Sequence, residues 1–384
     1  MRFAFVMGSN FHVGSVDERP LGGSESAVCY LARALSAAGH QVTLFTFCST
    51  PSVDPKSGAQ TFPLPFANGR IHFPPDLLRR PRDVVVLKNG LWETAPVLRR
   101  HLRPEVPLWL WTGHAPDQPA MAALQHPEVV RAFDRFVFLT DWQRQETLKF
   151  FPGLPPALGV VLRHAIAPCF EGLFSSPESL RAAKTRGPLQ IAYTSTPFRG
   201  LDILLDVWPE IHAAQPTATL KIHAGMEVYG VRSERDPHAP LYARATTLAG
   251  VERPGPLAQG ELAGALRRYG LLAYPNSFPE TGCIAVMEAL AAGTRVVTSA
   301  LGALPETSGG HARLVAVNSA FRAAFAQAVI EEATGFDDEE AWAARWAQVR
   351  DLNETCTWAR RVEDWAAALH GSTAAHDRVG ARAG

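Results

Sequence analysis

The sequence predicts an α/β chain built as two doubly wound domains, each a parallel sheet covered by helices. Three observations predict it. Short apolar runs without polar alternation recur at 2–7, 41–47, 83–87, 108–111, 136–139 and 160–162, and again at 189–193, 218–224, 271–274 and 295–298. Runs of that kind are buried on both faces, as strands of a helix-covered parallel sheet are. The first run leads into a Gly-rich loop, a helical pattern and a second strand, the unit from which parallel sheets are wound. At 384 residues the chain is long enough for two domains of ordinary size.

Composition narrows the function. Hydrophobic residues make up 47% and charged residues 19%, which supports sizeable cores and excludes wholesale disorder. The 37 basic and 37 acidic residues balance, which argues against general nucleic-acid binding. No apolar run approaches the roughly 18 residues of a membrane span, and the start reads as a strand, not as an export signal. Five scattered cysteines without a Cys-x-x-Cys pair fit a reducing cytoplasm. No Gly-x-Gly-x-x-Gly follows the first strand, and neither a Walker loop nor His-Glu-x-x-His occurs. Asp-x-Asp is also missing, so a metal-free mechanism is expected.

In chain order, the loop through Gly22-Gly23-Ser24-Glu25 permits close approach of backbone to a ligand, with Ser24 as cap of a helix running to about Ala38. Val28, Leu31 and Leu35 form its apolar face, and Gly39 closes it. The run at 108–111 leads into Thr112-Gly113-His114. Asp141-Trp142-Gln143-Arg144 opens a helix and is read as a cap and packing feature. Residues 164–188, rich in Pro, Ser and charge, read as a hinge. Beyond it a strand, Thr194-Ser195-Thr196-Pro-Phe-Arg199-Gly200 and a helix bearing Leu201, Leu204, Leu205 and Trp208 begin the second domain. The segment 226–247 reads as a flexible loop or irregular helix. Near the end, Trp358, Val362, Trp365 and Leu369 repeat at helical spacing, and 372–384 read as a disordered tail.

The stretch from Pro275 to Gly293 carries the chemistry. An apolar strand runs into Pro275-Asn-Ser-Phe-Pro-Glu280-Thr281-Gly282-Cys283, then a helical pattern with Glu288, then Gly293 as a left-handed cap. With a helix starting at Thr281 and Gly282, Glu280 and Glu288 lie about 12 Å apart along it. The unpaired N–H groups of that helix start suit an anion. Two carboxylates suit hydroxyl-rich ligands, because they only accept hydrogen bonds. Taken by spacing alone, such a pair is also what two exposed glutamates would give.

The whole string, Phe-Pro-Glu280-Thr-Gly through Glu288-Ala-Leu-Ala-Ala-Gly293 and on to Leu301-Gly-Ala-Leu-Pro-Glu306, resembles the donor-site signature of family-four retaining glycosyltransferases of the GT-B fold. The resemblance covers about residues 1–369, strongly at 275–306 and more weakly at 22–25, 112–114 and 193–202. It implies two Rossmann-like domains with parallel sheets facing across a cleft. It also implies Glu280 on the sugar hydroxyls and Glu288 on the ribose. Thr281, Gly282 and Cys283 with Arg199 would lie on the diphosphate, Gly23 near phosphate and acceptor, His114 beside the reacting sugar, and the backbone of Gly255 against the base. Ser195-Thr196 stand where the family has Gly-Arg, while Arg199-Gly200 match its Lys-Gly; neutral Thr196 leaves less charge for the diphosphate. His164 and Ala165 depart from the family's pattern and carry no role over.

The implied domains are 1–165 on the acceptor side, a hinge at 166–188, a nucleotide-sugar domain at 189–351, a helix at 352–371 crossing back, and the tail. The implied activity is a cytoplasmic, metal-independent hexosyltransferase in polysaccharide, glycolipid or glycoside synthesis. Its donor is a nucleotide-diphosphate sugar, it needs no further cofactor, and its hydroxyl acceptor could be lipid-linked. The basic residues Arg79, Arg80, Arg82, Lys88, Arg99, Arg100 and Arg103 are either a solvated face or a patch for anionic membrane. An epimerase or phosphorylase of the same fold, a dinucleotide-dependent oxidoreductase and a non-catalytic sugar-binding protein are the rivals.

Overall fold

The computed structural model describes residues 1–380. It forms two compact units, one from Met1–Val16, 23–164 and the chain from Trp358 on, the other from 17–22 and Ala165–Thr357. The strands of the first unit are β1 (Arg2–Met7), β2 (Gln41–Thr46), β3 (Ser52–Val53), β4 (Gln60–Pro63), β5 (Phe66–Ala67), β6 (Arg70–Ile71), β7 (Val84–Lys88), β8 (Leu108–Trp111), β9 (Arg135–Phe138) and β10 (Gly159–Val161). Eight of them make one sheet in the order β10-β9-β8-β7-β1-β2-β4-β3. All its pairs are parallel except β3 with β4. β5 and β6 form a separate hairpin turned by Asn68 and Gly69, both at positive φ.

The second unit holds β11 (Gln190–Tyr193), β12 (Thr219–Ile222), β13 (Val251–Glu252), β14 (Leu271–Tyr274), β15 (Arg295–Ser299) and β16 (Arg313–Val315). They form a wholly parallel sheet in the order β13-β12-β11-β14-β15-β16. The apolar runs become the central strands: every residue of β7, β8 and β14 is buried. In such open sheets ligands bind beyond the carboxyl ends of the strands where the order reverses. The reversal falls between β1 and β7 in one unit and between β11 and β14 in the other.

The last helix, Trp358–Gly380, belongs to the first unit. Its stripe of Trp358, Val362, Trp365 and Leu369 is buried. Trp365 stacks edge-on against Phe5 at 5.7 Å and Trp111 at 4.9 Å, closing one face of the sheet.

Several sequence expectations need correction. The segment 166–188, read as the hinge, belongs to the second unit. Its helix Pro177–Lys184 is built into the second unit, with Leu180 inserted beside Trp342 and Val349. Lys184, also buried, donates from Nζ to the carbonyls of Leu266 (2.7 Å) and Tyr269 (2.6 Å) and to Thr294 Oγ1 (2.8 Å). The division between units falls at 164/165, one residue from the expected end of the first domain. The helix expected over 352–371 is two, Glu339–Thr355 and Trp358–Gly380. Residues 372–380 of the expected tail continue the second of these, and 381–384 lie outside the described residues. The segment 226–247, read as a flexible loop or irregular helix, is the latter: two 3-10 turns, Glu227–Tyr229 and Ser233–Arg235, and the helix Ala239–Ala245. Two of the seven basic residues, Lys88 and Arg82, are buried, while Arg80, Arg99 and Arg103 each pair with a carboxylate.

Candidate active site

The second unit gathers its polar residues where β11 and β14 part. β11 ends in Tyr193, and the chain then turns through Ser195 and Thr196 to Arg199. The Thr196 carbonyl accepts from Arg199 N at 3.1 Å and from the Tyr193 hydroxyl at 2.7 Å. Thr196 is buried, and its Oγ1 has no partner among the described residues. Gly200 follows at φ +99 and precedes the helix Leu201–Ala214. Positive φ, and a carbonyl of Pro275 standing where a Cβ would lie, both require glycine there.

β14 ends in Tyr274, and the loop beyond it carries Glu280. Glu280 Oε1 accepts from Arg199 Nη1 and, at 2.6 Å, from the Tyr274 hydroxyl. Glu280 is 5% exposed, and the Arg199 side chain 21%. Burial alone would pull the Arg199 pKa down, but the Glu280 carboxylate outweighs it and holds the guanidinium charged. Burial, and then Glu280, push Tyr274 well above the usual phenol range, so it remains a donor. Ser195 Oγ reaches the same hydroxyl at 3.3 Å. The loop after β15 props Glu280 from behind: Ala303 N donates to the Glu280 carbonyl at 2.7 Å. A Cβ on Gly302, at φ +61, would stand 2.7 Å from Glu280 N. The Leu301–Glu306 string thus has a physical reason for its glycine.

The helix expected to start at Thr281 starts later, at Ile284, with Cys283 as its N-cap, and runs to Ala291. Thr281 and Gly282 lie in the bend before it, so the exposed N–H groups belong to 284 onward. The 12 Å estimate assumed eight helical steps, and only those from 284 to 288 are helical. Gly293 closes the helix at φ +66, as expected. Burial, with the Glu280 carboxylate, pushes the Cys283 thiol far up, which leaves it a poor nucleophile.

Glu288 lies within the helix Ile284–Ala291. It is 2% exposed, and its Oε1 accepts from Ala167 N at 3.4 Å. Burial pushes its pKa up to about 8, against the pull of the Ala167 N–H and of Gln259. At neutral pH it is therefore largely protonated. Gly255, at φ +84, lies buried beyond β13. Its carbonyl accepts from His223 Nδ1 at 2.9 Å, which leaves His223 Nε2 to accept from the Tyr269 hydroxyl, also at 2.9 Å.

The first unit has its own cluster where β1 and β7 part. Gly23 is the first residue of the helix Gly23–Ala37, so Ser24 lies inside the helix and is not its cap. Ser24 Oγ instead accepts from Asn89 Nδ2, and Asn89 Oδ1 takes Gly113 N at 2.6 Å. Glu25 Oε1 accepts from Ser9 Oγ at 2.9 Å. His114 Nδ1 bonds Gln118 Oε1 at 3.0 Å, and its ring meets Trp92 edge-on. Gln143, fully buried, donates to the carbonyls of Thr112 and His114 (3.2 and 2.9 Å), fixing the His114 loop. The cap of its own helix is Thr140, not Asp141.

The structure thus brings Arg199, Ser195, Thr196 and Glu280 together in one unit, and Gly23 and His114 near one cluster in the other. Sequence reasoning missed Tyr193, Tyr274 and Asn89, and took Gln143 only for packing. The available signal was position: each stands at the end of an apolar run or in the first turn after one.

Comparison with known proteins bears on the fold. Residues 190–333 match a family model described as glycosyl transferases group 1. Among curated proteins no match is found. Sucrose-phosphate synthase from Thermosynechococcus elongatus superposes with a TM-score of 0.74 at 14% identity, over 98% of this chain and 100% of that one. WaaG, a glycosyltransferase involved in lipopolysaccharide biosynthesis, does so at 0.66 and 16%, over 96% and 100%. Anabaena HepE, in complex with UDP and glucose, gives 0.66 and 15%, over 97% and 100%. The fold is that of GT-B glycosyltransferases.

Proposed function

We propose that this chain, a GT-B protein with a group 1 glycosyltransferase domain, moves a hexosyl group from a nucleotide-diphosphate sugar to a hydroxyl, retaining anomeric configuration and without a metal. The observation that carries the reading is the buried Arg199–Glu280–Tyr274 constellation at the strand reversal, inside the segment matching the family model. Arg199 has five N–H donors and gives one of them to Glu280; the rest remain for a diphosphate. The N–H groups from Ile284 onward add a fixed positive end. Together they stabilise charge on the departing diphosphate, the electrostatic contribution that usually dominates such catalysis. Glu280 accepts from sugar hydroxyls. The acceptor hydroxyl attacks the anomeric carbon from the face the diphosphate leaves, the bond to diphosphate oxygen breaks, and that oxygen takes the hydroxyl proton. His114 orients the sugar.

The test is a thermal-shift screen against UDP, GDP, ADP, CMP and dTDP sugars, since a ligand of the native state raises its melting temperature. UDP-glucose comes first, because the Anabaena neighbour has been seen with it. Product analysis of the hit by NMR, with and without acceptors, then reads the anomeric configuration. A donor turned over to an epimer without any acceptor would overturn the reading.

Glu288 gives a second expectation. Ribose hydroxyls donating to it favour the ionised form, so its pKa, about 8 before binding, falls on binding. Nucleotide binding at pH 7 should release up to one proton. The release fades above about pH 9, where Glu288 is ionised beforehand. Calorimetry in buffers of different ionisation enthalpy measures it; equal heats in all buffers would remove Glu288 from the ribose. Residence in the cytoplasm, with peripheral contact to anionic membrane, completes the reading, and liposome pelleting without dependence on anionic lipid would strike out the membrane contact.

A further inference from the structure

Lys88 is a full cation's length of side chain inside the first unit, and the reaction outlined above gives it nothing to do. It ends β7, is 0% exposed, and its Nζ has no hydrogen-bond partner among the described residues. The ammonium lies over the Trp111 ring, 3.8 Å from the centroid. A ring face offsets only part of what burying a charge costs. The residues after it are held unusually: Asn89, Gly90 and Leu91 all have positive φ, a conformation that is rare for a leucine and that collects at functional sites.

Position ties Lys88 to His114. Lys88 is the β-partner of Trp111, three residues before His114. Its neighbour Asn89 bonds the backbone N of Gly113, the residue before His114. The imidazole is itself oriented. Gln118 Oε1 accepts from Ala115 N at 3.0 Å, so that atom is the oxygen, and His114 Nδ1 must be the donor to it. A neutral His114 therefore carries its proton on Nδ1 and keeps a lone pair on Nε2. A protonated one would have no lone pair to offer.

The geometry points to Lys88 as the positioning residue that keeps His114 uncharged, with its proton on Nδ1 and a lone pair on Nε2. Two cations, one at the end of β7 and the other three residues beyond its strand partner Trp111, oppose one another. The groups around the pair are Glu25 from the Gly23–Ala37 helix, which favours the Lys88 charge, and Gln118 and the Asn89 carbonyl, which hydrogen-bond the His114 ring and oppose the effect of Lys88 on it. Burial first, and then Lys88, lower the His114 pKa; burial lowers that of Lys88 to about 7. The hold of Lys88 is therefore strongest below pH 7, where His114 would otherwise gain its proton. That His114 meets the sugar rests on the proposed transfer; that Lys88 governs His114 does not.

The test is nitrogen-15 NMR of histidine-labelled protein. In the unsubstituted protein His114 should show the Nδ1–H tautomer and titrate below the ordinary histidine range near 6.5. A midpoint at or above that range, or an Nε2–H tautomer, overturns the proposal with no variant needed. In Lys88→Met, an apolar replacement of similar length, the midpoint should rise by roughly half a pH unit or more. Lys88→Gln serves if the methionine variant does not fold. An unmoved midpoint in a folded variant also overturns the proposal. With a donor in hand, the acid limb of kcat/KM should move up with the midpoint. A moved midpoint and an unmoved limb would uphold Lys88 and refute the sugar contact of His114, so the two readings fail separately.

Discussion

Replacing Glu280 with alanine should lower kcat/KM for glycosyl transfer by about a hundredfold or more, roughly 2.7 kcal/mol of transition-state stabilisation. Two losses combine. The sugar loses a carboxylate acceptor, and Arg199 loses the partner that fixes its direction. Tyr274 also loses the acceptor of a 2.6 Å bond. Nucleotide affinity should change much less, within about threefold, or tighten. An Arg199 released from Glu280 has more donors for phosphate. Steady-state kinetics and calorimetry with the donor found by thermal shift measure both. Glu280→Gln separates the contributions: the amide still accepts from Tyr274 but does not neutralise Arg199, so it should remain well below the unsubstituted enzyme. Activity within a fewfold in both variants would take Glu280 out of the chemistry.

The site in the second unit was legible because its signals are local. Pro275 and Pro279 interrupt regular structure, Glu280 follows, and Gly293 ends the helix; each is a backbone demand visible in one residue. The exact start of that helix was not legible. Thr281 and Gly282 are as good a beginning as Cys283 by side-chain preference. What moves the start to Ile284 is the loop after β15, whose Ala303 N–H takes the Glu280 carbonyl away from any helix. That is a contact across 23 positions, which no local preference encodes. The segment 166–188 misled for a related reason. Its polar composition is that of a linker, yet Lys184 finds three oxygen acceptors supplied by two distant elements.

The first unit was less legible still. Lys88 reads as one of seven basic residues on a surface, and only the sheet order shows otherwise. Once β7 lies between β8 and β1, the last side chain of β7 is covered by Trp111. Gln143 was read as packing. Its two bonds to the carbonyls of Thr112 and His114 make it the clamp of the loop that carries the histidine. Sequence patterns give strands and helices their existence. Which strand ends become neighbours is decided by topology, and the polar clusters of both units sit where that neighbourhood reverses.

Gly200→Ala should be the most damaging single methyl group added to the second unit. The residue sits at φ +99, where an L side chain costs about 1–2 kcal/mol. The new Cβ would also press into the Pro275 carbonyl, which is backbone and cannot rotate aside. Overpacking of that kind costs about 1–3 kcal/mol more. For a unit of this size the sum, about 2–5 kcal/mol, corresponds to a fall in Tm of roughly 4–20 °C in the transition of the second unit. Gly264→Ala is the control. It lies in the helix Gln259–Leu266 with open space around it, and alanine there should hold or slightly raise Tm. The damage should reach activity by a specific route. Gly200 lets the loop that carries Arg199 lie against the loop that carries Glu280, and forcing the two apart separates the guanidinium from its carboxylate. Transfer should therefore fall even at temperatures where the variant is fully folded. A Gly200→Ala protein that melts within 2 °C of the original and transfers at its rate would mean that the two loops are not held together at this residue. The Arg199–Glu280 pair would then have to owe its alignment to something other than their contact.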